Sequence, residues 1–231
     1  MIDSYKHIKP NLLFLGAPGA GKGSVATKLV EKYGYYQLST GDMFRQEIKN
    51  KTDLGLKIQS ILDAGNYVSD DITNELVKKT LINLHTQHKP FILDGYPRTL
   101  DQAKFLKSLE SLDIKIDYVV LLEITDEQVI KRLEKRRICP KCKTIYHMQF
   151  NPPKDLIHCD NISHELTEVI KRPDDDSEVI KKRLNIYNTQ TAPLIKYYEK
   201  NARVVKINSY QAFDKVLSQT IKAIGELNDN Y

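Results

Sequence analysis

Four glycines and a lysine crowd one short stretch, Gly16-Ala17-Pro18-Gly19-Ala20-Gly21-Lys22-Gly23-Ser24. Glycine adopts backbone angles that side chains forbid, so the amides of Gly19, Ala20, Gly21 and Gly23 can turn inward around a polyphosphate. Lys22 supplies a mobile cation for the outer phosphates, and the Ser24 hydroxyl is suited to reach a phosphate-bound magnesium. A second chemical group is Asp94, at the end of the apolar run Phe91-Ile92-Leu93. A carboxylate there is costly unless it faces the edge of a sheet. It reads either as a magnesium anchor acting through waters, since magnesium sheds its hydration shell reluctantly, or as a cap on the next element. Several arginines in the second half of the chain suit forked bonds to phosphate.

These groups need elements to hold them. The run Leu12-Leu13-Phe14-Leu15 reads as a buried strand entering the glycine loop, with a helix from about Gly23 to Tyr33 whose N-terminal end favours anions. Further strand-like runs occur near Tyr35–Leu38, Phe91–Leu93, Tyr118–Ile124 and Val204–Ile207. Their alternation with helical segments predicts an α/β fold, a five-stranded parallel sheet flanked by helices and buried on both faces. Ligands on such sheets bind beyond the carboxyl ends of the strands, where the loop, Thr40 and Asp94 should meet. Two stretches break the rhythm. Ser39 to Val68 is charged and mostly helical in pattern. Lys135 to Asp175 has prolines and turn signals, and reads as a small, mostly β insert.

At 231 residues, 41% hydrophobic and 28% charged, the chain can bury a proper core. Its net charge of +5 fits either nucleic acid or small, highly charged anions. The arginines lie near phosphate motifs and not in tracts interleaved with aromatics, which favours the anions. No apolar stretch is long enough to cross a bilayer, and the first residues lack the features of a secretory or transit signal. A cytoplasmic location and no membrane partner are expected. Three cysteines cannot close a disulfide framework, which agrees with a reducing compartment.

The Gly-Lys-Gly form of the loop with Pro18, the stretch Ser39-Thr40-Gly41-Asp42-Met43-Phe44-Arg45 and the stretch Asp94-Gly95-Tyr96-Pro97-Arg98-Thr99 appear in that order. Together with the long insert they make the chain from about Asn11 onward resemble an adenylate kinase of the long-lid type. The resemblance implies one folding unit with a core (1–38, 69–134 and 176–231), a monophosphate-binding arm (39–68) and a lid (135–175). It implies ATP, AMP and ADP as partners, magnesium with ATP, no nucleic acid and a monomer. A GTP-using AMP kinase or another nucleoside monophosphate kinase is the alternative enzyme. A zinc-ribbon nucleic-acid module is a reading of another class, supported only by the cysteine pair and the positive charge.

The resemblance also assigns residues. Thr40, Arg45, Asn66, Tyr67, Val68, Gly95, Tyr96, Pro97 and Gln102 match the acceptor site, with Arg45 and Arg98 sharing the acceptor phosphate and Gln102 reading an adenine edge. Arg132 and Arg136, one turn apart on an expected helix Glu127–Arg137, should share a face. The resemblance sets Arg132 against the donor adenine and Arg136 on its phosphates. Ile145, Tyr146 and Gln211 match donor-side positions. Arg172 and Arg183 match arginines that swing toward the transferred phosphoryl group, and Asp174 and Asp175 stand at the lid hinge, with helix capping as the competing role. Cys139, Cys142 and Cys159 resemble a lid zinc site, but Ile162 occupies the position of the fourth ligand and cannot bind metal. Asp160, His158 or His164 could replace it; otherwise the cysteines are small buried lid residues.

Overall fold

The computed structural model describes residues 9–63, 67–172 and 175–225. Asn66 and Asp174 lie outside them. Five apolar runs form one parallel sheet: β1 (Leu12–Leu15), β2 (Tyr36–Ser39), β3 (Phe91–Asp94), β4 (Tyr118–Glu123) and β7 (Arg203–Asn208), in the order β2-β3-β1-β4-β7. Each falls within one residue of its expected bounds. In register, Leu12 of β1 stands between Ile92 and Tyr118, and Phe14 between Asp94 and Val120.

The alternation of side chains along a strand divides the core into two layers. Leu13, Leu15, Leu93, Val119 and Leu121 point to one face. There they meet α4 (Asp70–Thr86), α5 (Leu100–Ser108) and α8 (Pro193–Asn201), through Val77, Leu81, Leu106 and Leu194. Leu12, Phe14, Ile92, Val120 and Leu122 point to the other, against Val25 and Leu29 of α1 (Lys22–Tyr33) and Val216 and Ile224 of α9 (Phe213–Gly225). Both faces are covered, which is why the central runs are continuously apolar. The chain leaves β1 toward β2 and leaves β3 toward β4 on the opposite side. That reversal opens a crevice beyond the carboxyl ends of the strands.

Local chemistry fixes where the helices begin. Ser39 accepts from Asp42 N to start α2 (Thr40–Lys49), and Thr99 accepts from Gln102 N to start α5. Thr125 and Gln128 form a reciprocal capping box for α6 (Asp126–Glu134), and Asp176 caps α7 (Ser177–Ile186). Capping therefore falls to Asp176, while Asp175 is fully buried and serves elsewhere. A π-helical segment, Tyr187–Thr191, joins α7 to α8.

The expected helix Glu127–Arg137 is shorter than its charge pattern suggests. α6 stops at Glu134, and Arg136 opens β5 (Arg136–Ile138), which pairs antiparallel with β6 (Ile145–His147). Arg132 and Arg136 therefore do not share a helix face. Pairing with Ile145–His147 outweighs the modest helix preference of an arginine pair. The described residues after β6, up to 172, are tied in by isolated bridges such as Ile138 with Ile170, as a small β unit.

Between β2 and α4, α2 packs on α3 (Asp53–Asp63) around Phe44, Ile58 and Val68. A Cβ on Gly55 would stand 2.2 Å from the backbone oxygen of Glu47, so the two helices touch backbone to backbone. Gly55→Ala is expected to force them apart: amides in α2 and α3 should exchange at least tenfold faster in hydrogen-exchange measurements, with β1 and β4 amides unchanged. Equal protection in both proteins would contradict the close approach.

Candidate active site

The glycine loop spans the end of β1 and the start of α1. Gly19 and Gly21 hold left-handed angles, φ 77° and 97°, and Gly21 is the residue from which α1 departs. Lys22 folds back over the loop and donates to Gly16 O at 2.6 Å and Ala17 O at 2.9 Å. Burial, offset in part by Asp94 and reinforced by Arg98, Arg183 and Arg136, brings its ammonium down to about 8. One lysine thus feels three guanidinium groups and a single nearby carboxylate. Gly23 follows because a Cβ there would press within 3.3 Å of Asp94 Oδ2, which accepts from Gln37 Nε2 at 3.1 Å.

On the β2–β3 side, a recess is lined by Thr40, Phe44, Tyr67, Val68, Gly95 and Gln102, with Arg98 at its margin. Thr40 donates to Gly95 O at 2.9 Å, and Arg98 Nε donates to the same carbonyl at 2.7 Å. The Arg98 guanidinium lies 4.7 Å from the centre of the Tyr67 ring, a cation–π contact. The peptide bond Tyr96–Pro97 is cis, and Tyr96 is fully buried, donating to Asn74 at 2.6 Å. Gln102 is 2% exposed, its oxygen accepting from Arg98 N and its nitrogen donating to Asp70. Arg45 is exposed at the rim and paired with Asp42. Asp42 is held below the ordinary carboxylate range: burial works against this, but Arg45, Ser39 and Arg172 outweigh it.

On the other side the arginines divide their tasks. Arg132 donates to Gly19 O, Ala20 O and Ser209 O, tying the loop to the segment after β7. Arg136 forks onto Asp175 at 2.8 and 2.5 Å. That aspartate is fully buried, and the arginine side chain is 15% exposed. Arg183, on α7, acts electrostatically on both Lys22 and Arg98. Tyr146 is buried inside the small β unit, its hydroxyl donating to Cys159 Sγ and accepting from Asp160 N. The Gln211 amide binds Asn208 O and Gln219.

Two histidines stand out that motif spacing does not single out. His147 accepts at Nδ1 from Gln149 N and Phe150 N, which puts its proton on a buried Nε2 without a partner among the described residues. Its position after Ile145-Tyr146 is the signal that could have found it. His164 joins Cys139, Cys142 and Cys159, with their ligand atoms all within 4.8 Å of one another. Ile162, by contrast, is 99% exposed. His158 pairs with Asp155, and Asp160 receives Lys154 N, so neither competes.

A parallel sheet with a glycine loop at its switch point, a lysine in that loop and an arginine-rich crevice defines a nucleotide-binding phosphotransferase. The comparisons make this specific. The adenylate kinase family profile matches residues 14–203. Over 214 residues the chain is 53% identical to the adenylate kinase of Mycoplasma mobile, covering 93% of this chain and 97% of that one. It is 47% identical over 208 residues to that of Treponema denticola (90% and 96%). With that of Streptococcus thermophilus it shares 41% over 218 residues (94% and 99%). The chain belongs to the adenylate kinase family, whose reaction is ATP + AMP = 2 ADP. Among the described residues no helix is long and apolar enough to cross a membrane.

Removing one partner of the buried Arg136–Asp175 pair strands a charge, which typically costs about 3–5 kcal/mol. Asp175→Ala should therefore lower the unfolding free energy from denaturant titration by that amount; a loss below about 1 kcal/mol would mean that the pair is solvated.

Proposed function

We propose that the crevice holds two nucleotides end to end, with the donor on the loop Gly19–Ser24 and the acceptor AMP in the recess of Thr40, Arg45, Tyr67, Val68, Gly95, Tyr96, Pro97, Arg98 and Gln102. An oxygen of the AMP phosphate attacks the γ-phosphorus of ATP. The new phosphorus–oxygen bond forms as the bond to the β-phosphate oxygen breaks, and two ADP result. No proton moves, so no general base is needed. The difficulty is charge and position, which cations aimed at the phosphates relieve.

Lys22 follows the transferring phosphoryl group, Arg45 and Arg98 hold the acceptor phosphate, and Arg136, Arg172 and Arg183 close from the 135–175 side. Arg132 positions the loop through its carbonyls, while Ile145, Tyr146 and Gln211 offer backbone to the donor base. The observation that carries this reading is the electrostatic environment of Lys22, shared with Asp94, Arg98, Arg136 and Arg183 at one sheet edge. Magnesium, bound with ATP, withdraws charge from the phosphate oxygens. Asp94 fits as its anchor through water, together with Ser24, because among the described residues only Gln37 binds its carboxylate.

The same reading divides the chain into a core, an arm (39–68) and a lid (135–175) that close over the substrates and keep water from the phosphoryl group. It places the enzyme in the cytoplasm as a monomer, acting on ATP, AMP and ADP and not on nucleic acid. Lys22→Ala should lower kcat by about 10²-fold or more without unfolding the protein. Arg98→Ala should raise the KM for AMP far more than that for ATP. Wild-type turnover in the first variant, or equal KM changes in the second, would overturn these roles.

The lid cluster fits zinc. Cys142 Sγ and Cys159 Sγ stand 3.5 Å apart, and Cys139 Sγ and His164 Nε2 3.6 Å. A tetrahedron with bonds of about 2.3 Å to sulfur and 2.0 Å to nitrogen has edges of roughly 3.5–3.8 Å. His164 Nδ1 meets Glu165 O at 2.8 Å, so that nitrogen carries the proton and Nε2 keeps a lone pair toward the cysteines. One zinc per chain is expected by elemental analysis, with three sulfurs and one nitrogen by X-ray absorption. A metal-free purified protein of unchanged melting temperature after zinc addition would refute the site.

A further inference from the structure

We infer that Asp70 fixes the orientation of the Gln102 amide and so sets which purine the acceptor recess admits. This rests on the proposed placement of the acceptor base against Gln102. Asp70 is the first residue of α4, where its charge suits the helix start. Its carboxylate does more than that: Oδ1 accepts from Gln102 Nε2 at 2.6 Å and Oδ2 from the Thr99 hydroxyl at 2.7 Å. At the other end of the amide, Gln102 Oε1 accepts from Arg98 N at 2.7 Å.

Both contacts have only one chemical sense. A carboxylate accepts and a backbone N–H donates, so the amide cannot turn over without placing oxygen against oxygen and N–H against N–H. Gln102 is 2% exposed, so little water can soften either clash. An amide nitrogen has two donors and an amide oxygen two lone pairs. With one of each committed, what remains is one N–H and one lone pair in a fixed order. Adenine offers a bare ring nitrogen, N1, beside an amino donor. Hypoxanthine and guanine offer the reverse, an N1–H beside a carbonyl. The fixed order can match the first; a turned amide would match the second.

The experiment is the ratio of kcat/KM for AMP to that for IMP, which differ at this edge alone. Asp70→Asn lets the neighbouring side chain donate or accept, so the ratio should fall about tenfold, mainly through the KM values. Asp70→Ser, which also removes the fixed acceptor, gives the same readout should the asparagine variant be unstable. Thr99→Ala removes the other bond to the same carboxylate, and with it the cap on Gln102 N, but keeps both bonds that orient the amide, so its ratio should stay within twofold of the parent. Gln102→Ala separates the two levels of the argument. Should it collapse the ratio while Asp70→Asn and Asp70→Ser leave it unchanged, the role of Asp70 is overturned and the base placement stands. Should none of these variants change the ratio, the base does not rest on Gln102 and both readings fall.

Discussion

Like charges gathered at one sheet edge are the constraint around which this molecule is built. Two unit charges about 4 Å apart at an effective dielectric of about 20 repel by roughly 4 kcal/mol. Lys22 answers its burial first, and that repulsion second, by giving up its proton more readily, with Asp94 opposing both. The other cations are each held on an internal acceptor: Arg98 on Gly95 O, Arg45 on Asp42 and Arg136 on Asp175. Lys22 itself rests on two loop carbonyls. The carbonyl contacts of Lys22 and Arg98 are weaker than charge-assisted bonds to phosphate would be, so a polyanion can replace them, whereas Arg45 and Arg136 are already paired with carboxylates. The cost of assembling the cations is met in the fold, before any ligand arrives.

The sheet makes such crowding tolerable because its two apolar layers fix the strand ends. Leu13 and Leu15 anchor one face of β1, and Leu12 and Phe14 the other, so the loop after Leu15 has little freedom to relax. Asp94 is delivered by β3, the neighbour of β1, in register with Phe14. Arg132 adds a brace across the loop from the far side. The α2–α3 pair, by contrast, rests on a smaller cluster around Phe44 and Ile58, and the β5–β6 unit on one smaller still. Buried apolar packing thins from the sheet outward.

Much of this was legible in residue pattern. Continuous apolar runs mark buried parallel strands because nothing else of four to seven residues needs both faces dry, and their observed ends differ by one residue at most. The glycine loop was legible because its chemistry is local. What failed was the end of α6: arginines four apart read as a helix face, but strand pairing with Ile145–His147 claimed Arg136. Asp175 could not be seen as its partner, since 39 residues separate them. His164 was one of three candidate ligands, and no spacing rule distinguishes a histidine folded back by a turn from its neighbours. Asp70 reads as an ordinary acidic residue at a helix start, and only the fold shows that its carboxylate reaches Thr99 and Gln102.

The cysteine cluster follows from size. Among the described residues from 135 to 172, Ile138, Cys139, Tyr146, Cys159 and Val169 are buried apolar or sulfur side chains, while Phe150, Leu156, Ile157 and Leu166 remain exposed. A unit this small cannot cover its own apolar surface. Adding hydrophobic residues would only enlarge what water sees. Directional bonds among a few buried atoms do not need bulk, and Tyr146, Thr144 and His164 already converge on the sulfurs. A metal at that point would fasten the hairpin Cys139–Cys142 to the loop of Cys159 and His164, making the unit rigid without making it large. Rigidity is what the role proposed for Arg136 requires, because that residue on β5 can be aimed only as well as the ribbon that carries it is held.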